Sequence, residues 1–230
     1  MRGGPALAVT NPLRHPVIWE LLVSNELARI GFIGAGGMGR YQAEMFKQAG
    51  GSVAVTVADP DAKGRAEFRK IWPDATEVED YRRLLDDKNI QAVVIATPTG
   101  THREVGIAAM EAGKAVLLEK PMARTVSQCY DLIQASKRTG KLLMVAHCRR
   151  YDEHWGVWGK LVRDGVLGGP LLWRSCSAGP GPGRWFMDDA LGGGPLIDGA
   201  VHNYDFANWL FGDPETVLAS TLKLNTGVTA

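Results

Sequence analysis

Three side chains in this sequence have the types and settings that proton and oxygen chemistry needs. Lys120 stands in Glu119-Lys120-Pro121, directly after the run Lys114-Ala115-Val116-Leu117-Leu118. A charged pair closing an apolar strand, followed by a proline, suits the C-terminal edge of a parallel sheet, where open α/β proteins keep their ligands. Asp198 and His202 are spaced i, i+4 on a predicted helix, so they share one face. A carboxylate one turn from an imidazole can orient the ring and raise its basicity, as a general base requires. Asp205 follows His202 at i+3. Taken alone, an Asp/His pair is also a common surface pattern, and Lys120 could be a surface lysine at a strand end.

A second group of residues suits phosphate rather than protons. Gly34-Ala35-Gly36-Gly37-Met38-Gly39 is a G-x-G-x-x-G between a short apolar strand, 29–33, and a helix, 41–49. Strand, glycine turn and helix in that order are the context a dinucleotide site requires. Gly34 permits the tight turn, Gly36 lets the backbone approach a pyrophosphate, and Gly39 allows close helix packing. The helix N-terminus, with Gly37 and Met38 in the same turn, faces the negative charge. The next strand, 53–58, ends at Asp59, 20 residues beyond Gly39. An acid there accepts ribose hydroxyls and repels a 2′-phosphate, so NAD is expected over NADP. The competing reading is a structural turn in which Asp59 caps the next helix.

The elements that must hold these residues follow from the hydrophobic pattern. Runs at 29–33, 53–58, 91–96, 114–118 and 142–146 alternate with helical stretches at 41–49, 62–70, 81–85, 102–112 and 125–139. Five apolar runs separated by helices imply a doubly wound parallel sheet. Beyond Tyr151 the pattern changes. A helix is expected over 152–164, antiparallel strands over 170–177 and 215–224, and one helix opened by Gly192-Gly193-Gly194-Pro195 and stopped by Gly212. The division expected is an extension of little order at 1–28, a Rossmann dinucleotide-binding domain at 29–148 and a partial α+β domain at 149–230.

Composition narrows the classes. The chain has 230 residues, 45% of them hydrophobic, and a formal net charge of +1. That is ample for a core and gives no electrostatic footprint for nucleic acid or an anionic membrane. No apolar run approaches the ~20 residues of a membrane span. Three widely spaced cysteines, Cys129, Cys148 and Cys176, form no disulfide framework, which fits a reducing cytoplasm and three buried thiols. No His/Cys/Asp/Glu set has metal-ligand spacing, so no metal is expected.

The ordered combination resembles the Gfo/Idh/MocA oxidoreductases, the glucose–fructose oxidoreductase and inositol dehydrogenase-like enzymes. The motifs that carry the likeness are the glycine fingerprint, Ala96-Thr97-Pro98 with His102, Glu119-Lys120-Pro121, Arg149-Arg150-Tyr151-Asp152, and Gly192-Gly193-Gly194 through Asp198 to His202. The resemblance implies a Rossmann domain followed by a large, mostly antiparallel sheet whose face mediates homo-oligomerisation. It implies reversible oxidation of a secondary alcohol on a sugar, cyclitol or similar polyol. By the resemblance, Lys120 hydrogen-bonds the reacting oxygen after a cis Lys120-Pro121 bond, His202 is the general acid/base, and Asp198 contacts substrate and supports the proton relay. Thr97, Pro98, His102, Glu119, Lys120 and Arg149 fall on the cofactor side. Full-length relatives continue past the end of this chain, so a C-terminal truncation is expected, and substrate specificity is assigned to the loop at 178–191. An NAD-dependent glycoside hydrolase and a catalytically impaired NAD-binding protein remain as alternatives. His147 and His154 belong to no constellation, and the tryptophans are read as core or interface, Trp185 excepted.

Overall fold

The computed structural model describes residues 27–169, 172–176, 192 and 194–220. Residues 1–26 of the expected N-terminal extension and the 178–191 loop with Trp185 lie outside the described residues, while Ala28 already belongs to the first strand. Six strands form one parallel sheet in the order β3-β2-β1-β4-β5-β6. They are β1 (Ala28–Ile33), β2 (Ser52–Ala58), β3 (Thr76–Val78), β4 (Ala92–Ile95), β5 (Ala115–Leu118) and β6 (Leu143–Val145). The chain leaves β1 toward β2 and β3, then crosses back to β4, β5 and β6. The switch point therefore lies between β1 and β4, where doubly wound folds open a crevice.

The sheet is a continuous apolar layer because helices cover both faces. Helices α1 (Gly37–Ala49) and α2 (Ala62–Ile71) lie on one face, where Phe32 meets Phe46 and Phe68 at ring-centroid separations of 5.9 and 5.0 Å. Helices α3 (Tyr81–Asp86), α4 (His102–Glu111) and α5 (Val126–Thr139) serve the other, where Ile33, Leu84, Ile95, Val105, Leu118 and Leu132 are buried together. Asp61, Asp80 and Thr125 accept backbone N–H bonds as the N-caps of α2, α3 and α5. Asp61, not Asp59, is thus the cap that follows β2. Strand β3 carries no apolar run; it is a three-residue edge whose Glu77 pairs with Arg65 and Arg69.

Beyond β6, α6 (Glu153–Arg163) is capped by Asp152 and packs against α8 (Val201–Phe211). Phe206 is the centre of this unit, edge-on to Trp155 at 4.5 Å and tilted against Trp173 and Trp209. These three tryptophans are half-buried around it, whereas Trp158, also read as core or interface, is exposed. The single helix expected from the glycine run is broken. A short α7 (Gly194–Asp198) ends in a turn at Gly199-Ala200 before α8 begins. The antiparallel strands expected at 170–177 and 215–224 are not formed where they are described, at 172–176 and 216–220. Alternation gives a segment two faces, but a strand also needs a hydrogen-bonding neighbour. Cys148 and Cys176 are exposed and Cys129 is half-buried, so the expectation of three buried thiols is corrected. No helix among the described residues is long and apolar enough to cross a membrane, and no described cluster of His, Cys, Asp and Glu could hold a metal.

Candidate active site

The glycine turn is packed by necessity on one side and open on the other. Gly34 has φ +99°, and an added Cβ would lie 2.6 Å from the carbonyl oxygen of Ala96. A Cβ at Gly39 would overlap the carbonyl oxygen of Gly34, so glycine lets α1 dock on the turn. Gly36 and Gly37 have nothing within 4 Å of a would-be Cβ. They border a cleft of about 970 Å³ that Met38, Asp59, Thr97 and Pro98 also line. The N-cap of α1, Gly36, offers no side chain to the first amides of the helix, and no acid occupies its first turn. Open space, free helix-end N–H groups and the absence of anionic competition fit a dinucleotide diphosphate.

Asp59 closes the cleft at the end of β2. Its Oδ2 accepts the Ala35 amide at 2.6 Å and its Oδ1 the Asp61 amide at 2.8 Å. Both bonds use main chain, so the carboxylate is fixed against the turn, and each oxygen keeps a lone-pair site for a hydroxyl.

The Glu119-Lys120-Pro121 tripeptide is held at every residue. Glu119 Oε1 accepts Gln42 Nε2 at 2.6 Å, Oε2 accepts the Lys120 amide at 3.1 Å, and its own amide donates to Ile95 O. Pro121 follows a cis bond, as the resemblance implied, and its carbonyl oxygen lies 2.9 Å from His102 Nδ1. Lys120 Nζ donates to the backbone oxygen of Asp198 at 2.9 Å and to its Oδ1 at 3.2 Å. The lysine comes from the sheet edge and the aspartate from α7, so this buried pair joins the two parts of the chain.

His102 does not line the cleft. Its ring is buried between two carbonyls, Pro121 O and Thr97 O, each at 2.9 Å. It props apart the two loops that border the cleft and the lysine. Burial, foremost, pushes its proton affinity down, while the two carbonyls and Glu119 pull it up. Neutral, the ring can donate to only one of the carbonyls.

His202 sits one helix beyond Asp198, at the start of α8. Its Nδ1 is buried with no hydrogen-bond partner among the described residues. Burial first, then the charges of Lys120, Arg149 and His147, hold the imidazole down to about 4; Asp205 opposes them. His147, directly after β6, faces the same group, its Nδ1 3.6 Å from Asp205 Oδ2. Burial lowers its proton affinity as well.

A pH dependence follows. In the unfolded chain these imidazoles protonate near 6.5, whereas in the fold His202 resists until about 4. Within that window the unfolded state binds more protons, so stability is full above 6.5 and is lost as the pH falls toward 4. His102 and His147 shift in the same direction and add to the effect. The urea midpoint is expected to fall clearly between pH 7 and pH 5. An unchanged midpoint would show that these rings are not held neutral.

Of the residues expected to act, the structure brings Lys120 and Asp198 into contact and puts His202 within the electrostatic reach of Lys120. Gly34, Gly36, Gly37, Met38, Asp59, Thr97 and Pro98 line one cleft. Glu119 is buried beside α1 through Gln42. Arg149 lies apart from the glycine turn, over the Trp155 ring at 5.0 Å and on the His202 side. The shared helix face of Asp198 and His202 is not formed, because the chain turns between them. Gln42, His147, Arg150 and Asp205 were not assigned to the site from sequence. For His147 the signal was present: it stands just past a strand end on the same edge as Lys120.

The comparisons agree with this geometry. Residues 28–147 match the family model described as an oxidoreductase family with an NAD-binding Rossmann fold, and residues 159–230 match a GFO/IDH/MocA C-terminal domain. An inositol 2-dehydrogenase of Saccharopolyspora erythraea is 32% identical over 219 residues, covering 90% of this chain and 62% of that protein. A scyllo-inositol 2-dehydrogenase (NAD(+)) of Bacillus subtilis is 32% identical over 188 residues, covering 80% of this chain and 54% of that protein. Among solved structures, a levoglucosan dehydrogenase in complex with NADH and levoglucosan superposes with a TM-score of 0.72 at 29% identity, over 82% of this chain and 55% of that one. The chain spans little more than half the length of these relatives.

Proposed function

The chain belongs to the Gfo/Idh/MocA oxidoreductase family, and on that premise we propose that it moves a hydride between NAD and a secondary alcohol of a cyclitol or sugar. The observation that carries this reading is the Lys120–Asp198 pair, which fixes an ammonium group between the cofactor cleft and the segment that leads to His202. Gly34 to Gly39 hold the diphosphate and Asp59 the ribose hydroxyls. Hydride exchange is the chemistry a bound nicotinamide supplies. Lys120 donates to the alcohol oxygen and stabilises the negative charge that develops there. Asp198 orients Lys120 and accepts from a neighbouring hydroxyl. His202, neutral at physiological pH, takes the hydroxyl proton. The cofactor unit is 29–148 and the substrate unit 149–230, and copies associate through the sheet of the latter where that sheet is completed. The inositol and levoglucosan dehydrogenases above support the polyol class.

The test is direct. Purified chain with NAD and a panel of cyclitols and sugars is expected to form NADH with at least one of them. NADH binding without turnover on any alcohol would overturn the proposal, and glycoside cleavage without net NADH would replace it with a hydrolase.

A further inference from the structure

Arg150 and Asp205 form a fork-to-fork ion pair that the proton chemistry above does not use. Arg150 Nε donates to Asp205 Oδ2 at 2.9 Å and Nη2 to Oδ1 at 2.5 Å. Two parallel bonds of this kind fix orientation as well as distance. Arg150 belongs to the turn Cys148–Arg150 that ends the parallel sheet, and Asp205 sits in the first half of α8. The aspartate side chain is 9% exposed, so its charge acts in a poorly screened setting. It lies one turn beyond His202 on the same helix face and 3.6 Å from His147 Nδ1. Both imidazoles keep a buried Nδ1 without a hydrogen-bond partner among the described residues.

The surrounding charges are unequal. His147 is faced by Asp205 and Glu119 on the anionic side and by Arg150 and Lys120 on the cationic side. His202 is faced by the cationic Lys120 and Arg149 and by His147, with Asp205 the anion that opposes them. Without Asp205, the imidazole that receives the proton would keep Lys120 and Arg149 and lose the anion that opposes them.

We propose that Asp205 is a positioning residue for the proton step: bolted to the end of the sheet by Arg150, it is the shared anionic partner of His147 and His202. It fixes the angle of α8 against the Lys120 loop and supplies the counter-charge that lets His202 accept a proton. His147 is the second imidazole of the same bracket. This rests on His202 being the proton acceptor, so the primary readout needs no turnover.

The experiment is a histidine NMR titration of the full chain without cofactor, in wild type, Asp205→Asn and Asp205→Glu. Loss of the counter-charge is expected to move both His147 and His202 to lower pH in Asp205→Asn, while Asp205→Glu stays near wild type. Mere loosening would admit water and move both upward toward 6.5, because burial is what depresses them. Upward or absent movement therefore overturns the proposal. Should the Asn variant not fold, Arg150→Gln serves: removing that cation raises His147 selectively, and a joint rise of both rings, or none, counts against the bracket. Where the chain turns over a polyol, Asp205→Asn is expected to lose about 10- to 100-fold in kcat with NADH affinity unchanged. If titrations shift as stated and no polyol reacts, the bracket stands and the function assignment falls.

Discussion

If the proposed function holds, replacing Lys120 with methionine is expected to lower kcat/KM for polyol oxidation by about 10³-fold, since in that reading one group both donates to the reacting oxygen and stabilises its charge. NADH affinity should hardly change, because the diphosphate and ribose contacts proposed above lie on the glycine turn and Asp59. The substitution has a second, separable effect. Lys120 and Asp198 side chains are only 12 and 7% exposed. Removing one partner leaves a carboxylate buried and uncompensated, which costs about 3 kcal/mol of stability. The double variant Lys120→Met/Asp198→Asn removes that stranded charge, so its thermal midpoint should recover while activity stays lost. Thermal unfolding, NADH fluorescence titration and steady-state kinetics on the three proteins separate the effects. A single variant that oxidises its substrate at near wild-type rate would end the assignment of Lys120. A double variant no more stable than the single one would end the account of the pair.

Two glycines of the same turn should behave in opposite ways. Gly39→Ala puts a methyl group where the carbonyl of Gly34 already stands. Either α1 moves off the turn or the turn deforms, and about 3 kcal/mol of stability goes with it. NADH binding is lost because the fold beneath it is lost. At Gly36 an added Cβ meets no protein atom within 4 Å, so Gly36→Val starts into open space. Its melting temperature should match wild type, yet its side chain fills the space needed by a diphosphate. NADH affinity is expected to drop by about 100-fold, equal to roughly 2.7 kcal/mol of binding. Melting curves and NADH titrations of both variants decide the matter. Wild-type affinity in Gly36→Val would mean that the cofactor does not lie on the turn. Wild-type melting in Gly39→Ala would mean that helix and turn are not in contact.

Much of the parallel sheet was legible because its strands are buried on both faces. Val93, Val94 and Ile95 are all inside, and an unbroken apolar run announces that. Strand β3 escaped notice for the converse reason: an edge of three residues, with Glu77 held by arginines, has no apolar signature. The fingerprint glycines and Asp59 were legible because each answers a local backbone demand. The relation between Asp198 and His202 was misread. Helical spacing was extended through Gly199, where the chain turns, and Asp198 faces Lys120 instead. That contact joins residues 78 positions apart, which no periodicity encodes. Arg150 was not legible as a partner of Asp205 for the same reason, since only folding brings the two together. The alternation at 172–176 and 216–220 was real, but alternation describes a surface and not the neighbour that must cover it.

The central position of β1 has a consequence for how the chain is made. It leaves the ribosome first among the described strands, yet it belongs in the middle of the sheet, between β2 and β4. Its partner β2 follows within about 20 residues, but the register of Ile30 to Ile33 against Ala92 to Ile95 closes a loop of roughly 60. Until β4 emerges, Phe32 and Ile33 present an apolar edge with one side unpaired. High contact order of this kind slows folding and lengthens the exposure of that edge. The crevice between β1 and β4 is therefore a late structure: it exists only after the pairing that is hardest to reach has been made.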